Sequence, residues 1–177
     1  MKDLWSPWRI EYILQKKPDG CVFCKGCQAD MDAENLILHR GEYNFVIMNR
    51  YPYNNGHLMV VPYRHINMLN NLTADEQLEM MQLVSLCIEV LKDSMHPDGF
   101  NVGMNLGAPA GAGIKDHIHM HIVPRWTGDT NFMPVLADTR VIVEALDQTY
   151  ARLKPLFEKC LVAQAQGRAI ASKHRAP

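Results

Sequence analysis

Apolar residues follow two kinds of pattern along the chain, and together these patterns predict a mixture of strands and helices. Longer segments with apolar residues at three- to four-residue spacing predict helices over residues 73–94 and 139–164. Thr73 and Glu76 form a capping-box pattern at the start of the first of these helices. Short apolar segments bounded by Gly, Pro, Asn or Asp predict strands over residues 36–38, 44–48, 57–61, 100–106 and 114–123.

The connection between the first two strands decides the fold class. It is a short turn around Gly41, which favours an antiparallel sheet in an α+β fold over a doubly wound parallel sheet. We predict about five antiparallel strands with two main helices. Near the N-terminus, Ser6 followed by Pro7 predicts a short helix over residues 7–17. Pro155 is expected to kink or split the C-terminal helix.

The predicted elements divide the chain into one domain and a tail. The domain is expected to cover residues 1–166, followed by a flexible tail over 167–177. Its parts are an N-terminal helix with a cysteine-containing segment, a central core and a C-terminal helix, over residues 1–35, 36–135 and 136–166.

Composition and charge limit the class of protein. A chain of 177 residues with 47% apolar residues can bury the core of one domain. Its net charge of −1 argues against a nucleic-acid binder that neutralises phosphates. No apolar segment approaches the ~20 residues of a membrane span, and the first residues lack a signal-peptide pattern. We therefore expect a cytoplasmic protein with neither nucleic acid nor membrane as its partner.

Three of the five cysteines are close together, at Cys21, Cys24 and Cys27. Five is an odd number and too few for a disulfide scaffold. In a reducing compartment, a Cys-x-x-Cys pair indicates metal or redox chemistry. No βαβ pattern surrounds the pair, which weakens the redox interpretation.

Three histidines alternate with apolar residues at His117, His119 and His121, so their rings share one face of a strand. A catalytic zinc site built from all three is one interpretation. Rings at this spacing extend over about 13 Å, whereas zinc ligands lie about 2.0–2.1 Å from one ion. The other interpretation is a nucleophilic imidazole that attacks phosphorus, with flanking groups that orient it.

The histidine run, with Pro124 and Arg125 after it, resembles the motif of the histidine triad (HIT) superfamily. The upstream pattern Asn-Arg-x-Pro-x-x-x-Gly-His-x-x-Val-x-Pro over residues 49–62 resembles a second HIT segment, and residues 101–113 resemble the one before the triad. Residues 126–132, and Pro-Trp-Arg at 7–9, are most similar to the branch with FHIT and the diadenosine-tetraphosphate (Ap4A) phosphorylases. The resemblance extends over about residues 5–150.

The resemblance implies an HIT fold and a reaction at the α-phosphate of nucleoside polyphosphates such as Ap4A or Ap3A. His119 would attack phosphorus and form a covalent nucleotidyl-imidazole, which water or phosphate then resolves. The carbonyl of His117 would orient His119, and His121 and His57 would contact phosphate oxygens or the leaving group. A homodimer formed through the helix from Thr73 and an edge strand is also implied.

The same resemblance supplies candidate nucleotide-binding residues. Asn49 matches the residue that holds the ribose, and Trp126 would line the nucleotide pocket or simply pack. Phosphate oxygens would be bound by the side-chain amide of Asn105 and by the backbone N–H groups of Gly111, Ala112 and Gly113. Relatives often carry Gln, Ser or Thr in this loop, so the choice between hydrolysis and phosphorolysis stays open.

A structural zinc ion is the cofactor that the resemblance implies, with the ligands Cys21, Cys24, His65 and His117. Cys27 is either a substitute ligand or a free thiol. Four protein ligands would leave no open position on the ion, so the metal would not be the catalyst. Two other functions stay open: a zinc-dependent hydrolase that uses the histidines as ligands, and a nucleotide-binding regulatory module with little catalysis.

Overall fold

The computed structural model describes residues 20–28, 30–129 and 144–173, and the side chains of the last segment as far as residue 163. The helix predicted over 7–17 lies outside these residues, as does the part of the predicted C-terminal helix before residue 144. Within the described ranges, no helix combines the length and apolar character needed to cross a membrane.

Five antiparallel strands form a single sheet, as the sequence predicted. Their order across the sheet is β1-β2-β3-β5-β4, so β1 and β4 are the edge strands. β5 pairs with both β3 and β4. The bounds of the strands, in chain order, are Ile37–Arg40, Asn44–Met48, Leu58–Pro62, Gly99–Gly103 and Met120–Arg125.

Two long helices, α3 and α4, pack with the sheet, and two short ones precede it. α3 contacts β2, β3 and β5, and α4 contacts α3 and β1. The Thr73 side chain and Glu76 form the predicted capping box at the start of α3. Short 3-10 helices also occur at Leu69–Asn71 and Ala108–Ala110. The bounds of α1 to α4 are Val22–Gln28, Asp32–Asn35, Ala74–Met95 and Leu146–Lys173.

The central strands are buried on both faces, which explains why they are apolar at nearly every position. Side chains alternate between faces along a strand. Val46 and Val60 belong to the core cluster that includes residues of α3 and α4. Phe45 and Val61 belong to a second cluster, which includes Phe23 of α1.

Several boundaries differ from the sequence-based expectations. The strand predicted over 114–123 begins only at Met120, and the strand predicted over 100–106 covers Gly99–Gly103. The last helix covers Leu146–Lys173, so it includes residues 167–173 of the segment predicted as a flexible tail.

Pro155 neither splits nor ends the last helix. Its missing N–H leaves the carbonyl of Ala151 without a helical partner. Both Pro155 and Ala151 are exposed, so water can hydrate that carbonyl.

Glu76 is expected to make the fold sensitive to acid. The hydrogen bonds from the Arg64 guanidinium lower the pKa of this buried carboxyl to about 2, against about 4.3 for an unperturbed glutamate. Because the folded state favours the carboxylate, its contribution is complete above about pH 4.3 and is lost as the pH falls toward 2. We expect the free energy of urea unfolding to fall more steeply over this interval in the wild type than in Glu76→Gln.

Glu158→Gln is the matched control, because Glu158 is exposed on α4. This variant should keep the steep dependence of the wild type. Equal slopes in the wild type and in Glu76→Gln would contradict the assignment.

Candidate active site

A close approach between the loop before β3 and the helix α3 positions His57. A Cβ on Gly56 would lie 2.6 Å from Sδ of Met95 and 3.1 Å from Cδ2 of Leu91. Gly56 also has a φ of 71°, a conformation that other residues adopt with strain. Glycine therefore lets the chain pass close to α3, and His57, the residue just before β3, has 1% of its surface exposed.

The register of β5 places His121 on the face opposite α3. His121 pairs with Met59 of β3 and with Gly103 of β4. Residues that lie opposite each other in an antiparallel pair share a face. Met59 belongs to the core cluster of Phe23 and Phe45, so His121 lies on that side of the sheet.

The chain before β5 makes side-chain hydrogen bonds in place of a regular ladder. Nε2 of His117 lies 2.8 Å from the carbonyl oxygen of Pro62, the last residue of β3. The N–H of Ile118 donates to the carbonyl of Ile66 over 2.7 Å. These bonds explain why β5 begins later than predicted, although the histidines before it and within it still lie on the same side of the sheet.

The rings of the predicted catalytic histidines form a row. The centroids of His119 and His121 are 4.7 Å apart, and those of His121 and His57 are 5.0 Å apart. At the other end, Phe23 contacts the rings of both His119 and His117, at 5.2 Å and 5.4 Å. The structure therefore brings all four histidines together, as predicted.

The ring of His119 is held by the main chain. Its Nδ1 lies 2.9 Å from the carbonyl oxygen of His117. A carbonyl oxygen only accepts hydrogen bonds, so Nδ1 carries the proton and Nε2 carries the lone pair. Among the residues that the structure describes, Nε2 of His119 has no hydrogen-bond partner.

The ring of His57 contacts groups of the chain itself through both of its nitrogens. Its Nδ1 accepts a hydrogen bond from the backbone N–H of Tyr53 over 3.0 Å. Its Nε2 lies 2.9 Å from Nδ1 of His121. Both ring nitrogens of His57 are thus engaged within the chain, and its predicted contact with phosphate oxygens or the leaving group stays a prediction.

Burial keeps the triad rings neutral near pH 7. It lowers the pKa of His121 to about 4, with a smaller contribution from the charge of His119. Burial also lowers the pKa values of His119 and His117, although the backbone carbonyls that their rings contact act in the opposite direction. A neutral His119 is the form that can act as a nucleophile.

Cys21, Cys24, His65 and His117 converge at the other end of the row. Their ligand atoms all lie within 4.8 Å of one another. Sγ of Cys21 and Sγ of Cys24 lie 3.2 Å and 3.6 Å from Nδ1 of His117, and Sγ of Cys24 lies 3.4 Å from Nδ1 of His65. The edges of a tetrahedral zinc site are about 3.3–3.8 Å long, given the usual Zn–S and Zn–N bonds.

The protonation of these ligands also fits a metal. Nε2 of His117 carries the proton donated to Pro62, which leaves Nδ1 with a lone pair that can bind a cation. Burial raises the pKa of the Cys24 thiol to about 11. A divalent cation would counter this shift by favouring the thiolate. Two thiols and two imidazoles therefore make a group that could hold a metal ion.

Cys27 lies apart from this group. Its Sγ donates to the carbonyl of Cys24 over 3.3 Å, and it packs against the core cluster of Phe45. Phe23, between the two ligand cysteines, was missed by sequence reasoning. It is 3% exposed and joins the metal-ligand group to the His119 ring. Its only signal in the sequence is an apolar side chain inside Cys-x-x-Cys.

The glycine-rich loop uses part of its backbone within its own turn. The N–H of Gly111 donates to Ala108, and the N–H of Ala112 donates to Gly107 over 3.4 Å. In the described part of the chain, Gly113 N–H and the Asn105 side chain have no hydrogen-bond partner. Two of the predicted phosphate donors are therefore engaged, and two are available.

Asn49 and Trp126 have structural contacts. Nδ2 of Asn49 lies 3.3 Å from Nδ1 of His57, and its Oδ1 accepts from the N–H of Tyr51 over 2.9 Å. Nε1 of Trp126 donates to the carbonyl of Met95 at the end of α3. Asn49 thus belongs to the surroundings of His57, whereas the indole of Trp126 is bonded to α3.

A carboxylate after β5 was also missed. Asp129 accepts from the Arg125 guanidinium and from the side chain of Asn54. Arg125 also donates to Asn101 of β4. Arg125 therefore ties the end of β5 to the edge strand, and Asp129 ties it to the loop before His57.

Comparisons with known proteins identify the family. A family model described as HIT domain matches residues 31–128. The chain belongs to the HIT domain family. A protein named AP-4-A phosphorylase from Mycobacterium tuberculosis is 39% identical to this HIT protein, over 84% of this chain and 80% of that one.

Solved structures agree with this assignment. A zinc-bound histidine triad family protein from Mycobacterium smegmatis superposes with a TM-score of 0.65 at 26% identity, over 81% of this chain and 97% of that one. A hypothetical histidine triad nucleotide-binding protein from Sulfolobus tokodaii gives a TM-score of 0.62 at 27% identity, over 78% and 90% of the two chains. The predicted HIT fold is thereby confirmed.

Proposed function

We propose that this HIT protein cleaves dinucleoside polyphosphates at the α-phosphorus through a nucleotidyl-His119 intermediate. The observation that carries the proposal is the bond between Nδ1 of His119 and the His117 carbonyl, because it leaves a lone pair on Nε2. An oriented neutral imidazole is a competent nucleophile toward phosphorus. Positioning and charge stabilisation then supply most of the rate enhancement in this type of transfer.

The substrate class follows from the relative and from the donors of the site. The Mycobacterium tuberculosis protein is named AP-4-A phosphorylase, which makes diadenosine tetraphosphate the first substrate to test. A net charge of −1 supplies no strong attractive field for an anion. Local donors must therefore bind the phosphate oxygens, and Asn105, Gly113 N–H and His121 are the candidates.

Replacing His119 with Ala is expected to abolish turnover of diadenosine tetraphosphate without unfolding the chain. The loss should be at least about 10³-fold in kcat, because no other group replaces the nucleophile. Products are identified by chromatography with and without inorganic phosphate, and the adduct on His119 by mass spectrometry after a neutral quench. ADP that appears only with phosphate indicates phosphorolysis, and AMP with ATP indicates hydrolysis.

His96→Asn is the control for this variant, because His96 is exposed at the end of α3 in a left-handed conformation that Asn tolerates. It should retain full activity. An adduct on a residue other than His119 would reject the assignment. Tight binding of AMP without cleavage of any substrate would support the regulatory-module alternative.

We further propose that Cys21, Cys24, His65 and His117 hold a structural zinc ion. The distances among their ligand atoms and the unprotonated Nδ1 of His117 support this. Zinc would supply cross-links between the segment of α1, the loop after β3 and the chain before β5. Four protein ligands fill a tetrahedral site, and only one of them belongs to the triad.

Purified protein is expected to contain one zinc ion per chain, measured by elemental analysis. Cys24→Ser should lose the metal and lower the melting temperature, because a bound ion stabilises the folded state. Cys27→Ser is the matched control and should keep the metal. If chelation stops turnover at temperatures where the metal-free protein stays folded, the zinc-hydrolase alternative gains over the nucleophilic one.

We propose that the HIT protein forms a homodimer. β4 is an edge strand, and Val102 on it is 43% exposed. Val102 pairs with Ile122, so it lies on the face of the sheet that α3 covers. The exposed side of α3 carries Leu78 and Met81. An open edge and exposed apolar side chains are features of a surface that pairs with a second copy.

Light scattering coupled to size exclusion is expected to give a dimer for the wild type. Val102→Glu should shift the mass toward the monomer, since the charge would be buried on pairing. Val162→Glu is the control, because Val162 is exposed on α4, a helix that contacts β1 at the opposite edge of the sheet from β4. A monomeric wild type would contradict the proposal.

A further inference from the structure

Arg40 is the last residue of β1, and its side chain lies on the side of the sheet where α1 packs. In the register of β1 and β2, Arg40 pairs with Phe45. Residues that lie opposite each other in an antiparallel pair share a face. Phe45 belongs to the core cluster that includes Phe23 of α1. The guanidinium therefore lies on the same side of the sheet as the helix that carries the cysteines.

One edge of this guanidinium is held by a carboxylate at the start of α2. Nε of Arg40 donates to Oδ1 of Asp32 over 2.9 Å, and Nη2 lies 2.8 Å from the same oxygen. Nζ of Lys154 on α4 lies 3.6 Å from the other carboxylate oxygen. Asp32 thus has a cation on each side, and it fixes the direction in which Nη1 of Arg40 points.

Nη1 of Arg40 binds the end of α1. It donates to the carbonyl oxygen of Cys27 over 2.7 Å. Cys27 lies in the last turn of α1, where the carbonyls have no partner within the helix. A cation at this end of a helix also interacts favourably with the helix dipole. The bond therefore ties β1 to the helix that carries the ligand Cys24.

The same guanidinium reaches the chain after β3. It donates a hydrogen bond to the hydroxyl of Tyr63. Burial raises the pKa of this hydroxyl, and the charge and hydrogen bond of Arg40 act in the opposite direction. Tyr63 directly follows β3 and precedes the ligand His65 by two residues. Its ring packs against Phe45, with the centroids 5.3 Å apart. Arg40 therefore contacts two of the segments that supply metal ligands.

We propose that Arg40 is a positioning residue that assembles the metal-ligand group before a cation binds. Its donors hold α1 and the chain after β3 at the same time, so the thiols of Cys21 and Cys24 face His65 without help from an ion. This inference rests on the proposed structural zinc, because it concerns the same ligands.

A ligand group that is already assembled binds its cation more tightly than one that must first be ordered. Without the bonds of Arg40, α1 is free to move away from β1, and the free energy needed to return it offsets part of the binding free energy. Residues that orient metal ligands change metal affinity by about 10–100-fold when they are replaced. The same bonds hold Phe23, whose ring lies 5.2 Å from that of His119.

Zinc affinity tests the proposal, measured by equilibrium competition between the metal-loaded protein and a chromogenic chelator. Arg40→Gln should lower the affinity about 10–100-fold. Arg40→Lys keeps the charge but lacks the planar fork that reaches several acceptors, so it should recover only a minor part of the loss. An unchanged affinity in Arg40→Gln, or recovery of most of it in Arg40→Lys, would overturn the proposal.

Arg152→Gln is the matched control for these variants. Arg152 forms an ion pair with Glu144, and its side chain is 39% exposed, against 32% for Arg40. The two substitutions therefore remove an arginine of similar exposure from an ion pair. Arg152→Gln should keep the zinc affinity of the wild type. A loss in this control as large as in Arg40→Gln would assign the effect to general destabilisation and contradict the proposal.

Hydrogen exchange distinguishes a local release of α1 from a general loosening of the fold. The N–H of Lys25 donates to the carbonyl of Cys21 over 3.1 Å. In metal-free protein, the amides of α1 should exchange about tenfold or more faster in Arg40→Gln than in the wild type, whereas those of β3 should be unchanged. Excess zinc should restore the protection of α1, because the ion then holds the same helix.

A merely structural role of Arg40 would accelerate exchange in α1 and β3 alike, which would contradict the proposal. Unfolding of the whole wild-type chain on metal removal would contradict it as well, because the ligand group would then not be assembled without the ion.

The proposed metal site and the role of Arg40 fail differently. If the wild type binds no zinc, the metal site is wrong, and exchange in α1 alone decides whether Arg40 holds the helix. If the wild type and Arg40→Gln bind zinc equally tightly, the metal site stands and the role of Arg40 is overturned.

Discussion

The bonds of His117 join the two halves of the site. Its ring nitrogens face the carbonyl of Pro62 on one side and the thiols of Cys21 and Cys24 on the other. Its own carbonyl holds Nδ1 of His119. The residue is fully buried, so its ring cannot turn without breaking bonds that water would not replace. The orientation of the nucleophile therefore depends on how firmly this one residue is held.

A metal at the cysteines would strengthen that hold through Phe23. This side chain lies on the helix between the ligand cysteines and packs on the rings of His117 and His119. The position of α1 therefore determines two things: where the ligand cysteines lie, and how the Phe23 ring packs on His119. Nothing in this geometry requires the ion to touch a substrate, because its ligands lie at the end of the row away from His121.

The architecture could be predicted from the sequence because the two patterns that indicate it, strand alternation and helix capping, are local. Alternation placed the triad on one side, and the capping pattern at Thr73 marked the start of α3. The predicted start of β5 was wrong because hydrogen bonds from His117 and Ile118 replace regular strand pairing there. Such bonds join residues that are far apart in the chain, so no local sequence pattern predicts them.

The role of His57 shows the same limit at the level of chemistry. The sequence motif identifies His57 and places it after a glycine. Which of its ring nitrogens carries the proton depends on the Tyr53 N–H and on the orientation of the Asn49 amide. The hydrogen-bond partner of the Trp126 indole could not be predicted from local sequence either. Its partner is the carbonyl of Met95, and only the packing of β5 on α3 brings the two together.

Main-chain atoms carry most of the orientation in this site, and this has a consequence for substitutions. The carbonyls of Pro62 and His117 and the N–H of Tyr53 persist whatever side chains stand at those positions. Tyr53→Phe leaves the donor to His57 in place, whereas proline there would remove it. Protonation in the row is thus set by the path of the backbone between β2 and β3 and before β5. A change that moves either segment can alter the chemistry while every histidine is retained.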